Sequence, residues 1–368
     1  MRSDDHHFLV QRGDPTRCDV RTLPLDPLQP GEARVAIERF GLTANNVTYA
    51  ALGESLHYFE FFPAPALLRA EGWARVPAWG IGTVLESRSP EVAVGAKVYG
   101  FFPMSTHATL QPARGAPTGF RVDRPHIPPE FGVYSAYNVQ SIDPFHIEGR
   151  DDHTVVFRPL FLTGLLLADY LAVHDFMQAE AVLISSASSK TAYGVAAALR
   201  AGPRRRVLGV SSAANAAFAA SLGVYDEVLC YEDLPALPRE RSLVYVDIAG
   251  SAGARAAVLD RLGAGVKLNL AVGMSHGQPG GYRASTSHPE VRSELFFAPG
   301  WMAQRHKEAG QAFVGSLLAG WRAQMADVGE HFQVVRGAGP EALVRTYLEI
   351  ARGQSRPETA HVLTLADV

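Results

Sequence analysis

The chain has 368 residues, 47% of them apolar and 19% charged, with a net charge of −3. That suits a folded protein of about two domains with sizeable cores, and it excludes the basic field a nucleic-acid partner needs. The two cysteines, Cys18 and Cys230, exclude a disulfide framework and a four-cysteine zinc site.

The opening MRSDDHHFLV carries acids where a signal peptide needs a basic and then an apolar run. No apolar stretch runs unbroken for about 18 residues, so a cytoplasmic protein without a membrane partner is expected. Residues 1–125 read as short strands broken by Gly and Pro, with EARVAIERFGL (32–42), WGIGTVLES (79–87) and AKVYGFFP (96–103) as the strongest candidates. Such spacing predicts a barrel or sandwich. Residues 103–153, rich in Pro, His and aromatics, read as a long irregular excursion. From about residue 154 strands and helices alternate. PLFLTGLLLADYLAV (159–173) is a buried helix, and AVLISS, RRVLGVSS (205–212), DEVLCY, SLVYVDIAG (242–250) and GVKLNLAVG (265–273) are strands. Between them lie the helices TAYGVAAALR, AANAAFAASLG (213–223) and ARAAVLDRLG (254–263). That rhythm predicts a parallel sheet covered on both faces. The tail reads as strand, helix, strand.

The segment AVLISSASSKTAYGVAAAL (181–199) has the layout of a phosphate site: apolar strand, tight turn, helix. A helix N-terminus offers free backbone N–H groups and a partial positive charge. Glycines normally let the phosphate approach; here the turn offers Ser185, Ser186, Ser188, Ser189, Lys190 and Thr191. Serine is small and its hydroxyl can donate, and Lys190 brings a full charge. A plain serine-capped helix fits the same residues. A P-loop does not, because Ile184 and Ser189 stand where its two glycines belong.

Taken together, these segments resemble the medium-chain dehydrogenase/reductase superfamily in its zinc-free, quinone-reductase-like branch. SASSKTAYGV lies in frame with that family's GAAGGVGSAA, so that Ser186, Ser189 and Ala192 replace glycines. LVYVDIAGSAG is similar to its VDVVFDSVGG, with Asp247 and Gly250. GLTANNVTYAALG (41–53) is similar to its GLN-x-x-D-x-Y segment, with Asn46 where Asp is usual. WGIGTVLES and VAVGAKVYGFF resemble its barrel strands. FLTGLLLADYL resembles its G-L-T-A helix, which implies that Thr163 lies near a nicotinamide. Within the superfamily, YNVQ (137–140), RPLFLTG (158–164), GMSHG (273–277) and FFAPGWMAQR (296–305) resemble the DUF2855 proteins.

The resemblance implies an α/β chain: a GroES-like β-barrel catalytic domain (1–150 and 306–368) plus a Rossmann doubly wound parallel-sheet domain (151–305), as a homodimer. It assigns Thr163, Ser186, Ser188, Ser189, Lys190, Thr191, Ser211, Ser212, Asn215, Asp247 and Gly273 to a cofactor site. The zinc branch's ligand stretches correspond to GLTANN and PAWGIG, which hold no Cys, His or Glu, and the histidines are scattered, so no metal is expected.

The second strand ends in GVSSAAN (209–215), without the acid that NAD enzymes place about 20 residues past the turn to hold the ribose 2′-OH. Ser211, Ser212, Asn215 and Lys190 suit a 2′-phosphate, so the expected cofactor is NADP(H). Hydride chemistry belongs to such a cofactor, and the protein must polarise the acceptor. The candidates for that work are Tyr137, Asn138, Tyr49, Asn46 and His276. Each has a plainer role open to it, as a packed residue, a turn residue or a loop residue. HYFEFFP (57–63), with Phe101, Phe102 and Trp79, forms either an aromatic wall for a flat acceptor or ordinary core.

The sequence thus points to a zinc-independent NADP(H) oxidoreductase acting on an enone, quinone or ketone. Two alternatives remain: a redox-inert relative that binds nucleotide as a sensor or not at all, and a nicotinamide-assisted lyase or isomerase.

Overall fold

The computed structural model describes residues 4–202, 205–238, 241–272 and 288–366. The chain divides into two compact units, residues 1–158 with 333–368, and residues 159–332. The domain limits expected from sequence, 150/151 and 305/306, differ from these. One precedes the helix Asp151–Val173 and the other lies within the helix Ala298–His331.

In the first unit a nine-stranded sheet carries most of the backbone pairing. Ala33–Leu42, Pro77–Ser87 and Lys97–Pro103 are its consecutive antiparallel centre. The stretch expected to be irregular contributes four short strands: His107–Leu110, Pro112–Ala116, Gly119–Val122 and Ala136–Val139. Runs of four or five residues broken by Pro and Gly are too short to show a period, and their pairing partners make them strands. The tail strand Thr359–Thr364 pairs antiparallel with Ala33–Leu42 and parallel with Gln333–Ala338.

A three-stranded sheet, Asp14–Pro24, Asp4–Gln11 and Trp73–Arg75, adjoins it through a bridge between His7 and Ser105. A buried carboxylate fastens that junction. Asp5 receives the Thr106 hydroxyl at 2.6 Å and the His107 N–H at 2.9 Å, and lies 2.9 Å from His7 Nε2. Burial pushes the Asp5 carboxyl up, but its bonds from His107, His7 and Thr106 outweigh this and hold it well below the usual carboxylate range. Burial pulls His7 down; the Asp5 hydrogen bond opposes this, the Arg75 charge assists it, and the balance lies below the ordinary value.

In the second unit six parallel strands stand in the order Glu227–Cys230, Arg206–Ser211, Ala181–Ser185, Leu243–Asp247, Val266–Val272, Ser293–Phe296. The order reverses direction beside Ala181–Ser185, the point at which open parallel sheets bind ligands. The first helix of this region begins at Asp151, eight residues before the apolar run, and carries Pro159 inside. One 18-residue window of it is apolar enough to cross a membrane, but 67% of that window is buried within the protein. Its Gly164 lies so close to the helix Lys190–Ala201 that a Cβ would stand 2.5 Å from the Gly194 carbonyl carbon. Asp175–Gln178 then forms a turn with φ between 44° and 60°, a left-handed conformation that costs L-residues about 1–2 kcal/mol each. Phe176, 2% exposed, and an Arg205–Asp175 bond hold it.

Because folded His7 resists protonation that the unfolded chain accepts near pH 6.5, stability falls as pH drops through that value. The Asp5 contribution stays intact until well below it, since that carboxyl is held down from 3.8. Thermal melts at pH 7 and pH 5 should therefore show the wild type losing stability relative to His7→Gln, whose side chain does not titrate. Parallel curves for the two proteins would contradict this.

Candidate functional site

The strand Ala181–Ser185 is buried throughout. At its end the chain must reverse into the helix Lys190–Ala201. It does so through Ser186, whose φ of 55° is the left-handed conformation glycine ordinarily supplies. A serine thus takes the backbone geometry that glycine ordinarily supplies.

Four groups fix that geometry. The Ser186 N–H donates to the Tyr231 hydroxyl at 2.9 Å. The Ala187 N–H donates to the Val210 carbonyl at 2.9 Å, and the Ala187 carbonyl accepts from the Tyr225 hydroxyl at 2.8 Å. The turn leans on the second strand at Gly209, where a Cβ would meet Ala187 Cβ at 2.8 Å. Behind it, the buried Ser185 hydroxyl accepts the N–H groups of Ile248 (2.9 Å) and Ala249 (3.0 Å) and lies 3.2 Å from Asp247 Oδ1.

Ser189 caps the helix, its hydroxyl accepting the Ala192 N–H at 3.2 Å. The Thr191 N–H has no acceptor among the described residues, as expected of a first-turn donor. Ser188 is 8% exposed and accepts from the Ser211 hydroxyl at 3.4 Å, so the turn and the end of the second strand meet. The Lys190 ammonium lies 5.3 Å from the Phe332 ring centre. Ser212 begins the next helix without a side-chain cap, and neither its hydroxyl nor the Asn215 amide has a partner among the described residues. No carboxylate occurs in residues 209–215.

Asp247 is fully buried. It accepts from the Gly250 N–H at 2.9 Å and from Arg255 at 3.1 Å. Burial pushes its carboxyl up, against these donors and Ser185. Thr163 lies on the helix that crosses at Gly194, and its hydroxyl donates back to the Pro159 carbonyl at 2.8 Å. Gly273 and His276 lie outside the described residues.

The other candidates belong to the first unit. Asn46, 3% exposed, accepts the Thr43 N–H at 2.8 Å, donates to the Pro77 carbonyl at 3.1 Å and so closes a capping box. Tyr49, one turn on, is buried, and burial holds its hydroxyl protonated well above the usual range. Tyr137, 1% exposed, donates to the Phe101 carbonyl at 2.6 Å, and its ring stacks on Phe120. Its neighbour Asn138 accepts from the Thr118 hydroxyl at 2.6 Å.

Sequence reasoning missed Tyr231 and Tyr225, and the anchoring work of Ser185. The signal was a tyrosine on either side of the strand Glu227–Cys230, but nothing local ties either to a turn some forty residues earlier. Among the described residues no three His, Cys, Asp or Glu side chains are arranged to hold a metal.

The family described as "Protein of unknown function (DUF2855)" matches residues 40–356, and the chain belongs to it. No curated protein matches. Among solved structures, the chain is similar to CurA from Vibrio vulnificus in complex with NADPH (13% identity, 99% of this chain and 100% of that, TM-score 0.61). It is also similar to a putative NADPH:quinone reductase from Bacillus thuringiensis (13%, 98% and 99%, 0.57). A third likeness is the yhdH oxidoreductase from Salmonella enterica in complex with NADP (17%, 98% and 100%, 0.56). At such identities the likeness shows the fold, which is that of the two-domain medium-chain dehydrogenase/reductases.

If Ser186 carries strain that glycine would not, Ser186→Gly should raise unfolding stability by about 1 kcal/mol and the β-branched Ser186→Val should lower it. Urea denaturation midpoints at unchanged slope check this. A Gly variant no more stable than wild type would refute the strain.

Proposed function

We propose that this DUF2855 chain is an oxidoreductase that uses NADP(H), without zinc, to transfer hydride to or from an enone, quinone or ketone. The observation that carries the reading is the turn at 185–191. It keeps the backbone geometry of a glycine turn although its sequence has none. It ends in a helix N-terminus whose Thr191 N–H has no acceptor among the described residues. The NADPH and NADP complexes of two structural relatives support the same reading.

When bound, the nicotinamide would supply or take the hydride. This chain's part is to hold and orient. The N–H groups of the first helical turn, with the Ser188 and Ser189 hydroxyls and Lys190, would hold the pyrophosphate. Ser212 and Asn215, uncommitted and without a neighbouring acid, would take a 2′-phosphate, which favours NADPH over NADH. Asp247 and Ser185 act from behind, by fastening the turn to the fourth strand. In the first unit Tyr49 is a hydrogen-bond donor that keeps its proton. It suits polarisation of an acceptor oxygen better than Asn46 or Tyr137, whose polar groups are spent internally.

One observation favours a redox-inert reading instead: the Tyr231 hydroxyl already takes the Ser186 N–H. Titration of purified protein with NADPH and NADH, following nicotinamide fluorescence, separates the two. NADPH should bind more tightly than NADH. Lys190→Ala should weaken NADPH binding on the order of tenfold or more, the worth of a charged hydrogen bond. Ser189→Asp should weaken it comparably while preserving the helix start, because Asp caps as well as Ser. Binding of neither nucleotide would overturn the oxidoreductase reading.

A further inference from the structure

Five aromatic side chains from separate segments of the first unit converge: Tyr49, Tyr58, Trp79, Phe101 and Tyr134. Ring centres lie 4.4 Å apart for Tyr49 and Tyr58, 5.1 Å for Trp79 and Phe101, 4.8 Å for Phe101 and Tyr134, and 5.7 Å for Trp79 and Tyr134. Trp79 has a rigid backing. Its ring stacks on Tyr99 at 5.5 Å and 11°. The Arg158 guanidinium stands 4.3 Å from the far ring's centre, clamped by Asp143 through two hydrogen bonds of 2.5 and 3.2 Å. Arg158 and Asp143 are both buried.

An ordinary core would satisfy the polar atoms of such a cluster. Here the Trp79 Nε1 is buried and no acceptor among the described residues meets it with hydrogen-bond geometry; the Tyr49 hydroxyl beside it interacts only loosely. A buried donor left without a well-placed partner loses its hydration without return. The cluster is not sealed, since Trp79 and Tyr134 are only partly buried. None of the five carries a charge. The Tyr49, Tyr58 and Tyr134 hydroxyls are held protonated by burial. Among the described residues the cluster is therefore flat-walled, neutral, rich in donors and without a well-placed acceptor for the Trp79 N–H.

We propose that this cluster holds the substrate of the reaction proposed above, that the substrate is a flat aromatic or extended conjugated ketone, and that Trp79 donates its indole N–H to the carbonyl oxygen. Trp79 is then the residue that sorts substrates. It supplies a π-face for the ring system and one directional bond for the oxygen. The Arg158–Tyr99 stack acts through it as a positioning layer. The substrate assignment rests on the oxidoreductase reading, while the ligand site itself is tested without it.

The test uses the full chain and two probes of one shape, 1-indanone and indane, titrated by ligand-observed NMR. Wild type should bind indanone more tightly than indane. Trp79→Phe keeps an aromatic face and deletes the N–H, and should weaken indanone on the order of tenfold while leaving indane within about twofold. In ¹⁵N-labelled wild type, the Trp79 indole N–H resonance should move downfield with indanone and not with indane, a readout that needs no variant. An indanone affinity unchanged by Trp79→Phe, an equal loss for both probes, or an indole resonance that ignores the carbonyl would overturn the proposal. NADPH titration of the same samples keeps the two readings apart. Failure there with the indanone result intact sinks the oxidoreductase reading and spares the ligand site; the converse sinks the site alone.

Discussion

A chain leaving a buried parallel strand has a few residues in which to reverse into a helix, and one of them must take a positive φ. Here that residue is Ser186 at 55°. Much of the second unit's polar architecture serves to hold it there. Tyr231 takes its N–H, Val210 and Tyr225 tie down Ala187, and Gly209 leaves room for the turn to lean on the second strand. Ser185 and Asp247 lock the strand end to the next strand. Glycine would make the conformation free; serine makes it conditional on its neighbours. The conformational cost falls on Ser186, while the hydroxyls proposed to meet a phosphate are those of Ser188 and Ser189 in the same turn.

Much of this was legible in the sequence because it is local. The strand and helix of 181–199 declare themselves by apolar run, small-residue turn and 3.6 periodicity. The absence of an acid in 209–215 is read directly. What was hidden depends on partners far along the chain. Tyr231 meets Ser186 across 45 residues and Ser185 meets Asp247 across 62. The short strands of 107–139 are made by pairing, not by their own pattern. The helix Ala298–His331 buries Phe313, Leu317, Trp321, Met325 and Val328 at helical spacing, a pattern open to sequence reading; the helix itself is kinked upstream of them at Gly310, φ 52°. Asp247 illustrates a different limit. A motif match located it, but only its complete burial reveals that it is spent on Gly250, Ser185 and Arg255.

The first unit makes the complementary point about polar groups in apolar surroundings. Asn46, in the barrel segment, and Tyr137, in the stretch expected to be irregular, are both sequence candidates for polarising the acceptor, and both prove to be held by internal hydrogen bonds. Burial alone therefore does not mark a functional side chain. A buried group whose bond is missing is more informative, because the fold bears its desolvation without return. By that criterion Trp79, rigidly backed by Tyr99 and Arg158, stands apart from its aromatic neighbours.

We propose that the glycine-free turn keeps a glycine turn's shape because it holds a dinucleotide. A crystal structure of the protein grown with NADPH tests it most directly. Pyrophosphate density should lie against the backbone at the start of the helix Lys190–Ala201, with Ser186 still at positive φ. Nucleotide bound elsewhere, or a turn that must rearrange to admit it, would refute this role for the turn.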